Sequence, residues 1–254
     1  MRVRADDAAA PVARPRAAAP PDGESMPATP PDHASFAPLD ECTAMLVEVA
    51  AVVAAGDESA MRLALRAAAS RAPAAEVEEV LLQSYLFAGF PRALNAMRLW
   101  RAASGTVGPV VDNDPVAAMD PTTAAAVWQQ RGEQTCATVY GSFYDPLRVN
   151  IAHLHPALDA WMVGEGYGKV LGRPGLDLAR RELCVVAACV SAQQERQLHS
   201  HLHGALHAGA SPGQVGAALE LAIVASQAWL AADAPRRYRQ LWTKVARKAA
   251  ATGD

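Results

Sequence analysis

His201 is the residue of this chain best placed to move a proton. Leu198, Leu202, Ala205 and Gly209 fall on one stripe of a helix, and His201 lies on the edge of that stripe. An imidazole there faces the interior or a cleft, as a hydrogen-bonded core histidine or as a general acid–base with an ordinary pKa near 6.5. Glu182 stands among Leu183, Val186 and Ala187. It is either an exposed first-turn acid favoured by the helix dipole or a buried carboxylate that needs a partner. Glu195 reads as a second candidate acid or as a capping residue at a helix start. Arg173, in a glycine-rich stretch, has the planar fork that clamps a carboxylate or caps a helix end. Tyr167 is expected to line the same cleft. His199, His203 and His207 recur at i, i+4, i+8 on the polar face of the His201 helix. Such a ladder is a solvated or intersubunit face, or a transition-metal site.

The elements that must position these groups are helical. Of 254 residues 51% are hydrophobic, but much of that is alanine and only 6% are aromatic, a composition that favours closely packed helices over strands. The expected fold class is all-α. A net charge of −3 gives no electrostatic footprint for nucleic acid or an anionic membrane. No stretch reaches the roughly 20 apolar residues of a membrane span. Cys42, Cys136, Cys184 and Cys189 match no zinc ribbon and no Cys-x-x-Cys pair, which points to free thiols in a reducing, cytoplasmic setting.

Residues 39–70 align without a gap on residues 176–207 at a constant offset of 137. Leu46 falls on Leu183, Glu58 on Glu195 and Leu65 on Leu202, while Met45 and Ala64 stand where the second stretch has Glu182 and His201. This predicts a scaffold repeat followed by a functional repeat. The expected organisation is a disordered tail over 1–36, which holds seven of the 18 prolines. A degenerate repeat follows over 37–103, a linker over 104–121, the second repeat over 122–235 and a basic helix and tail over 236–254. Within this frame, helices are expected over 40–56 and 58–70, and again from 73 to 100 with a break at Gly89-Phe90-Pro91. Leu154, Leu158 and Met162 predict one helix over 150–163, and residues 164–175 read as a glycine-rich turn.

Gly168-Lys169-Val170-Leu171-Gly172-Arg173-Pro174-Gly175-Leu176, then Arg181-Glu182-Leu183, Gln197-Leu198-x-x-His201 and Gly209-Ala210-Ser211 resemble the carboxymuconolactone decarboxylase family, whose superfamily includes the alkylhydroperoxidase D proteins. In the first copy, 76–83 and Tyr85-x-x-Ala88-Gly89-Phe90-Pro91 resemble the end of the same module. The peroxidase branch places Cys-x-x-Cys at the positions of Gln194 and Gln197, between a Glu at 182 and a His at 201. Amides cannot act as thiolate nucleophiles, so that chemistry would fall to Cys184 or Cys189. The decarboxylase branch keeps a Glu at 195, a His at 201 and the Arg173–Leu176 turn. This chain departs from it at Tyr167, Lys169, Leu171 and Gln197. The resemblance implies a cofactor-free lyase acting on a small carboxylated lactone or organic acid. His201 would move the proton, Glu182 or Glu195 would orient it, and Arg173, Tyr167 and Gln197 would bind the substrate. It also implies a homo-oligomer, a trimer of double modules, with the segment from Phe90 to Trp100 at interfaces. A non-catalytic oligomeric binding protein is the third alternative.

Overall fold

The computed structural model of the chain describes residues 36, 38–106 and 111–252, and among them there is no strand. The expected tail over 1–36 lies outside the described residues except for Phe36. Eleven α-helices are described: α1 Glu41–Ala55, α2 Glu58–Ala68, α3 Ala74–Gln83, α4 Tyr85–Ser104, α5 Pro121–Tyr140, α6 Tyr144–Leu154, α7 Pro156–Trp161, α8 Leu178–Ser191, α9 Glu195–His207, α10 Pro212–Ser226 and α11 Ala234–Thr252. None is long and apolar enough to cross a membrane.

The centre is built from α1, α8 and α10. In α1 every residue from Thr43 to Ala54 is buried, all apolar except Thr43 and Glu48, so the helix must be surrounded. It starts where the Asp40 carboxylate accepts from Thr43 N at 2.9 Å, and Asp177 caps α8 in the same way through Arg180 N at 3.0 Å. Glu41 and Leu178, which open α1 and α8, stand 137 positions apart, as do Glu58 and Glu195, which open α2 and α9. The break expected near Gly89 is present: Gly89 has φ 79° inside α4, a conformation that costs a side-chain-bearing residue, and Pro91 restarts the helix.

The two halves are tied by charge. Arg181, wholly buried on α8, donates to Glu79 Oε2 of α3 at 2.7 Å and to the carbonyls of Leu176, Arg173 and Pro174 at 3.0–3.1 Å. Gln83 closes the link, its amide donating to the Arg181 carbonyl at 3.3 Å. One turn earlier on α3, Glu76 takes a bidentate pair from Arg180 at 2.7 and 2.8 Å. Residues 111–114, expected as plain linker, are part of this tie. Asp112 pairs with Arg173 at 2.7 Å, and the buried Asp114 takes both arms of Arg131 at 2.6 and 3.0 Å.

Two expectations are corrected. The helix over 150–163 is divided, because Pro156 pushes His155 into an extended conformation (φ −168°, ψ 130°) that ends α6 and starts α7. Leu154 and Leu158 consequently face outward, 73% and 47% exposed. Residues 164–171 are not a turn but most of a π-helical segment, Met162–Leu171, continuous with α7. Gly168 of this segment and Gly132 of α5 serve close packing. A Cβ on Gly168 would lie 1.9 Å from the Trp128 carbonyl oxygen of α5, and one on Gly132 would lie 2.0 Å from that of Val163.

Gly168→Ala is therefore expected to destabilise the protein by about 2 kcal/mol or more, because the new methyl collides with the Trp128 backbone, which cannot swing aside. Gly164→Ala, whose Cβ would meet only the Gln129 side chain at 3.4 Å, is expected to be neutral or slightly stabilising. Urea unfolding of the two variants measures the contrast.

Candidate functional site

Glu182 lies on the second turn of α8, one residue beyond Arg181, and its side chain is fully buried. Its Oε2 stands 2.7 Å from His201 Nδ1 of α9. An ionised carboxylate only accepts hydrogen bonds, so facing one, Nδ1 carries the proton and Nε2 is the ring atom left for chemistry. Gly204, one turn beyond His201, makes the approach possible: a Cβ there would lie 2.7 Å from Glu182 Oε2 and 2.6 Å from Val139 Cγ1. The other carboxylate oxygen, Oε1, is buried with no hydrogen-bond partner among the described residues. A buried acceptor of that kind is costly unless a ligand or water donates to it.

Aromatic rings wall the imidazole. Phe87, from the first half, meets it edge-on at 6.2 Å between centroids, and Tyr140, at the end of α5, does so at 6.5 Å. Tyr167 packs edge-on against Tyr140 at 6.0 Å, and their hydroxyls share a hydrogen bond. Burial pushes the Tyr140 phenol up to about 12, the nearby Glu182 adding to the rise, while the hydrogen bond from Tyr167 works against it. Burial, then Tyr140 and Glu182, raises Tyr167 further. The π-helical segment sets Tyr167 in place, and such segments recur at functional sites.

The structure thus brings His201, Glu182 and Tyr167 into one neighbourhood and leaves other candidates outside it. Arg173 is engaged by Glu79 at 3.1 Å and Asp112 at 2.7 Å, a structural pairing that leaves its fork no carboxylate of a substrate to clamp. Glu195 is exposed in the first turn of α9 and pairs with Arg237 at 3.2 Å, away from His201 and without capping the helix. Gln197 and Gln194 are exposed. Tyr140, Phe87 and Gly204 were missed, because each reaches His201 from another helix and no spacing in the chain connects them.

The thiols are poorly disposed to act. Burial pushes Cys136 and Cys184 up to about 12 and raises Cys189 as well. Burial and the hydrogen bond from its Sγ to Glu76 Oε2 raise Cys42 to about 11. A peroxidatic cysteine needs the opposite shift.

The histidine ladder is not fully solvated. His199 and His203 stack edge-on at 5.2 Å, and His203 and His207 lie 6.2 Å apart. Together with Tyr140, Phe143 and Lys248 they line a cavity of about 450 Å³. Burial, then the nearby His199, Lys248 and His207, hold His203 down at about 4. No group of three or more His, Cys, Asp or Glu among the described residues is placed to hold a metal ion.

The sequence model of the carboxymuconolactone decarboxylase family matches residues 156–236. That segment contains α7, the π-helical segment, α8, α9 and α10, and with them both Glu182 and His201. Over that segment the chain is similar to the family. No curated protein matches the chain.

Gly204→Ala should drive the Glu182 carboxylate off His201 and cost about 1–3 kcal/mol, read from denaturant midpoints. The pH dependence has a defined sign. His203 is held neutral in the fold, so its contribution is complete above its unfolded pKa of 6.5 and is lost as pH falls from 6.5 toward about 4. His203→Gln should flatten the thermal-stability profile across that window.

Proposed function

We propose that the protein is a carboxymuconolactone decarboxylase-like lyase that moves a proton on a small carboxylated lactone or organic acid without a cofactor. The observation that carries this reading is the buried 2.7 Å pair between His201 Nδ1 and Glu182 Oε2, with Oε1 unpartnered beside it. Glu182 fixes the tautomer and stabilises the imidazolium that forms when Nε2 takes a proton. In a decarboxylation the bond to the carboxylate carbon breaks and its electron pair passes into an enolate. Carbon dioxide leaves, and the proton held on Nε2 then ends on the substrate carbon from which the carboxylate departed. The Tyr140 hydroxyl, on a ring beside the imidazole, has a proton to donate to the enolate oxygen.

Thiol peroxidase activity is disfavoured by the exposed amides at 194 and 197 and by the buried, high-pKa thiols of Cys184 and Cys189. The chain is further read as a doubled helical unit, on the equal spacing of its helix starts. It is also read as a homo-oligomer, a trimer by the family resemblance. Exposed Phe90 and Leu94 on α4, and Leu154, Leu158 and Trp161 on α6 and α7, offer the apolar surface such an assembly would cover.

On a panel of small carboxylated lactones, His201→Gln should lower kcat/KM by about 10²–10⁴ for any substrate that is turned over. Glu182→Gln should lower it less, and Cys184→Ser and Cys189→Ser should leave it within about threefold. Unchanged turnover in His201→Gln would refute the proposal. Sedimentation should show an oligomer that Trp161→Arg shifts toward smaller species; a wild-type monomer would remove the assembly reading.

A further inference from the structure

His207 ends α9, the helix that carries His201, and the dyad chemistry gives it no role. Its Nδ1 lies 2.9 Å from the carbonyl oxygen of Val139 on α5. A carbonyl only accepts, so Nδ1 carries the proton and donates. Val139 is the residue before Tyr140, with which α5 ends. Its carbonyl is therefore among the last four of a helix, which the helix itself leaves unpaired and which a histidine donor can satisfy. The chain then turns at Gly141, with φ 53° and ψ −131°. A Cβ on Gly141 would lie 3.2 Å from Cε1 and 3.4 Å from Nδ1 of the same His207 ring. One imidazole thus meets the backbone on both sides of Tyr140.

We propose that His207 is a positioning residue for Tyr140, its imidazole fixing the end of α5 so that the phenol stays beside the His201–Glu182 pair. The inference rests on the reading of Tyr140 as the donor to the enolate oxygen. Helix ends fray, and Tyr140 is the last residue of its helix, so a phenol there holds its place only if that end is tied down. The hydrogen bond with Tyr167 secures the hydroxyl, and His207 secures the backbone that carries the ring. Both imidazoles belong to α9. The separation of His201 from Tyr140, 6.5 Å between ring centroids, is therefore set from one rigid element. The required precision is high: a donor to a developing oxyanion works at about 2.7–3.1 Å, and a misplacement of about 1 Å costs about 10²-fold in rate.

The test compares His207→Asn, whose amide N–H keeps a donor near the place of Nδ1, with His207→Leu, which removes it. His207 is exposed, so neither change opens the core. The full-length protein is labelled with 3-fluorotyrosine and followed by fluorine NMR, the Tyr140 resonance being the one lost in Tyr140→Phe. Expected is a Tyr140 resonance that shifts or broadens in His207→Leu and keeps its wild-type position in His207→Asn, with the Tyr85 and Tyr238 signals unmoved in both. On any substrate that is turned over, His207→Leu should lower kcat by about tenfold with KM within about threefold, and His207→Asn should recover most of the loss. In a Tyr140→Phe background His207→Leu should cost nothing further. The NMR arm needs no turnover, so failure of the lyase reading and failure of the positioning role are seen separately. A Tyr140 resonance unmoved in His207→Leu, an Asn variant that behaves as Leu does, or an undiminished effect of His207→Leu in the Tyr140→Phe background would overturn the proposal.

Discussion

Two opposite charges side by side on one buried helical turn constrain everything around them. Arg181 and Glu182 are both shut off from water on α8, and neither is tolerable there without partners. Successive residues on a helix point about 100° apart, so the two must be satisfied from different directions. Arg181 turns to α3, where Glu79 and Gln83 meet it. Glu182 turns to α9, where His201 meets it. The tie that joins the two halves and the pair that defines the site are thus two solutions to one desolvation problem. Removing one partner of a buried pair typically costs ~3–5 kcal/mol, so the start of α8 is held firmly.

That arrangement assigns roles to the halves. The first half contributes α1 as a core helix and α3 as an acidic face for Arg180 and Arg181. It gives the site only an apolar wall, Phe87. The second half contributes the titratable pair, and α5 with the π-helical segment brings the two tyrosines against it. Glycine makes the close approaches: Gly132 and Gly168 bring α5 and the π-helical segment into backbone contact, and Gly204 leaves room for a carboxylate. Where the chain needed a carboxylate or a carbonyl at van der Waals distance, no side chain fits.

Much of the secondary structure was legible because local rules decide it. Asp40 and the apolar run behind it specify α1, the break at Gly89 follows from glycine and proline together, and the absence of strands among the described residues follows from the alanine-rich composition. The failures are equally physical. A stripe at Leu154, Leu158 and Met162 reads as one buried helix, but Pro156 divides it and nothing in the described chain covers Leu154. The glycines of 164–172 carry a turn signal in isolation, yet Gly168 and Gly172 are there for close contact with α5, which is distant in sequence.

For the site, the sequence by itself placed Glu182 and His201 on consecutive helices and gave them residue types able to share a proton. It also excluded a Cys-x-x-Cys pair, because residue identity at 194 and 197 is a local fact. Only the tertiary structure decided that Arg173 belongs to Glu79 and Asp112, and that Glu195 belongs to Arg237 at the surface. It also decided that Tyr140 stands between His201 and a cavity lined by three further imidazoles. Those outcomes depend on which charges lose water together, and desolvation is a property of packing that no spacing along the chain encodes.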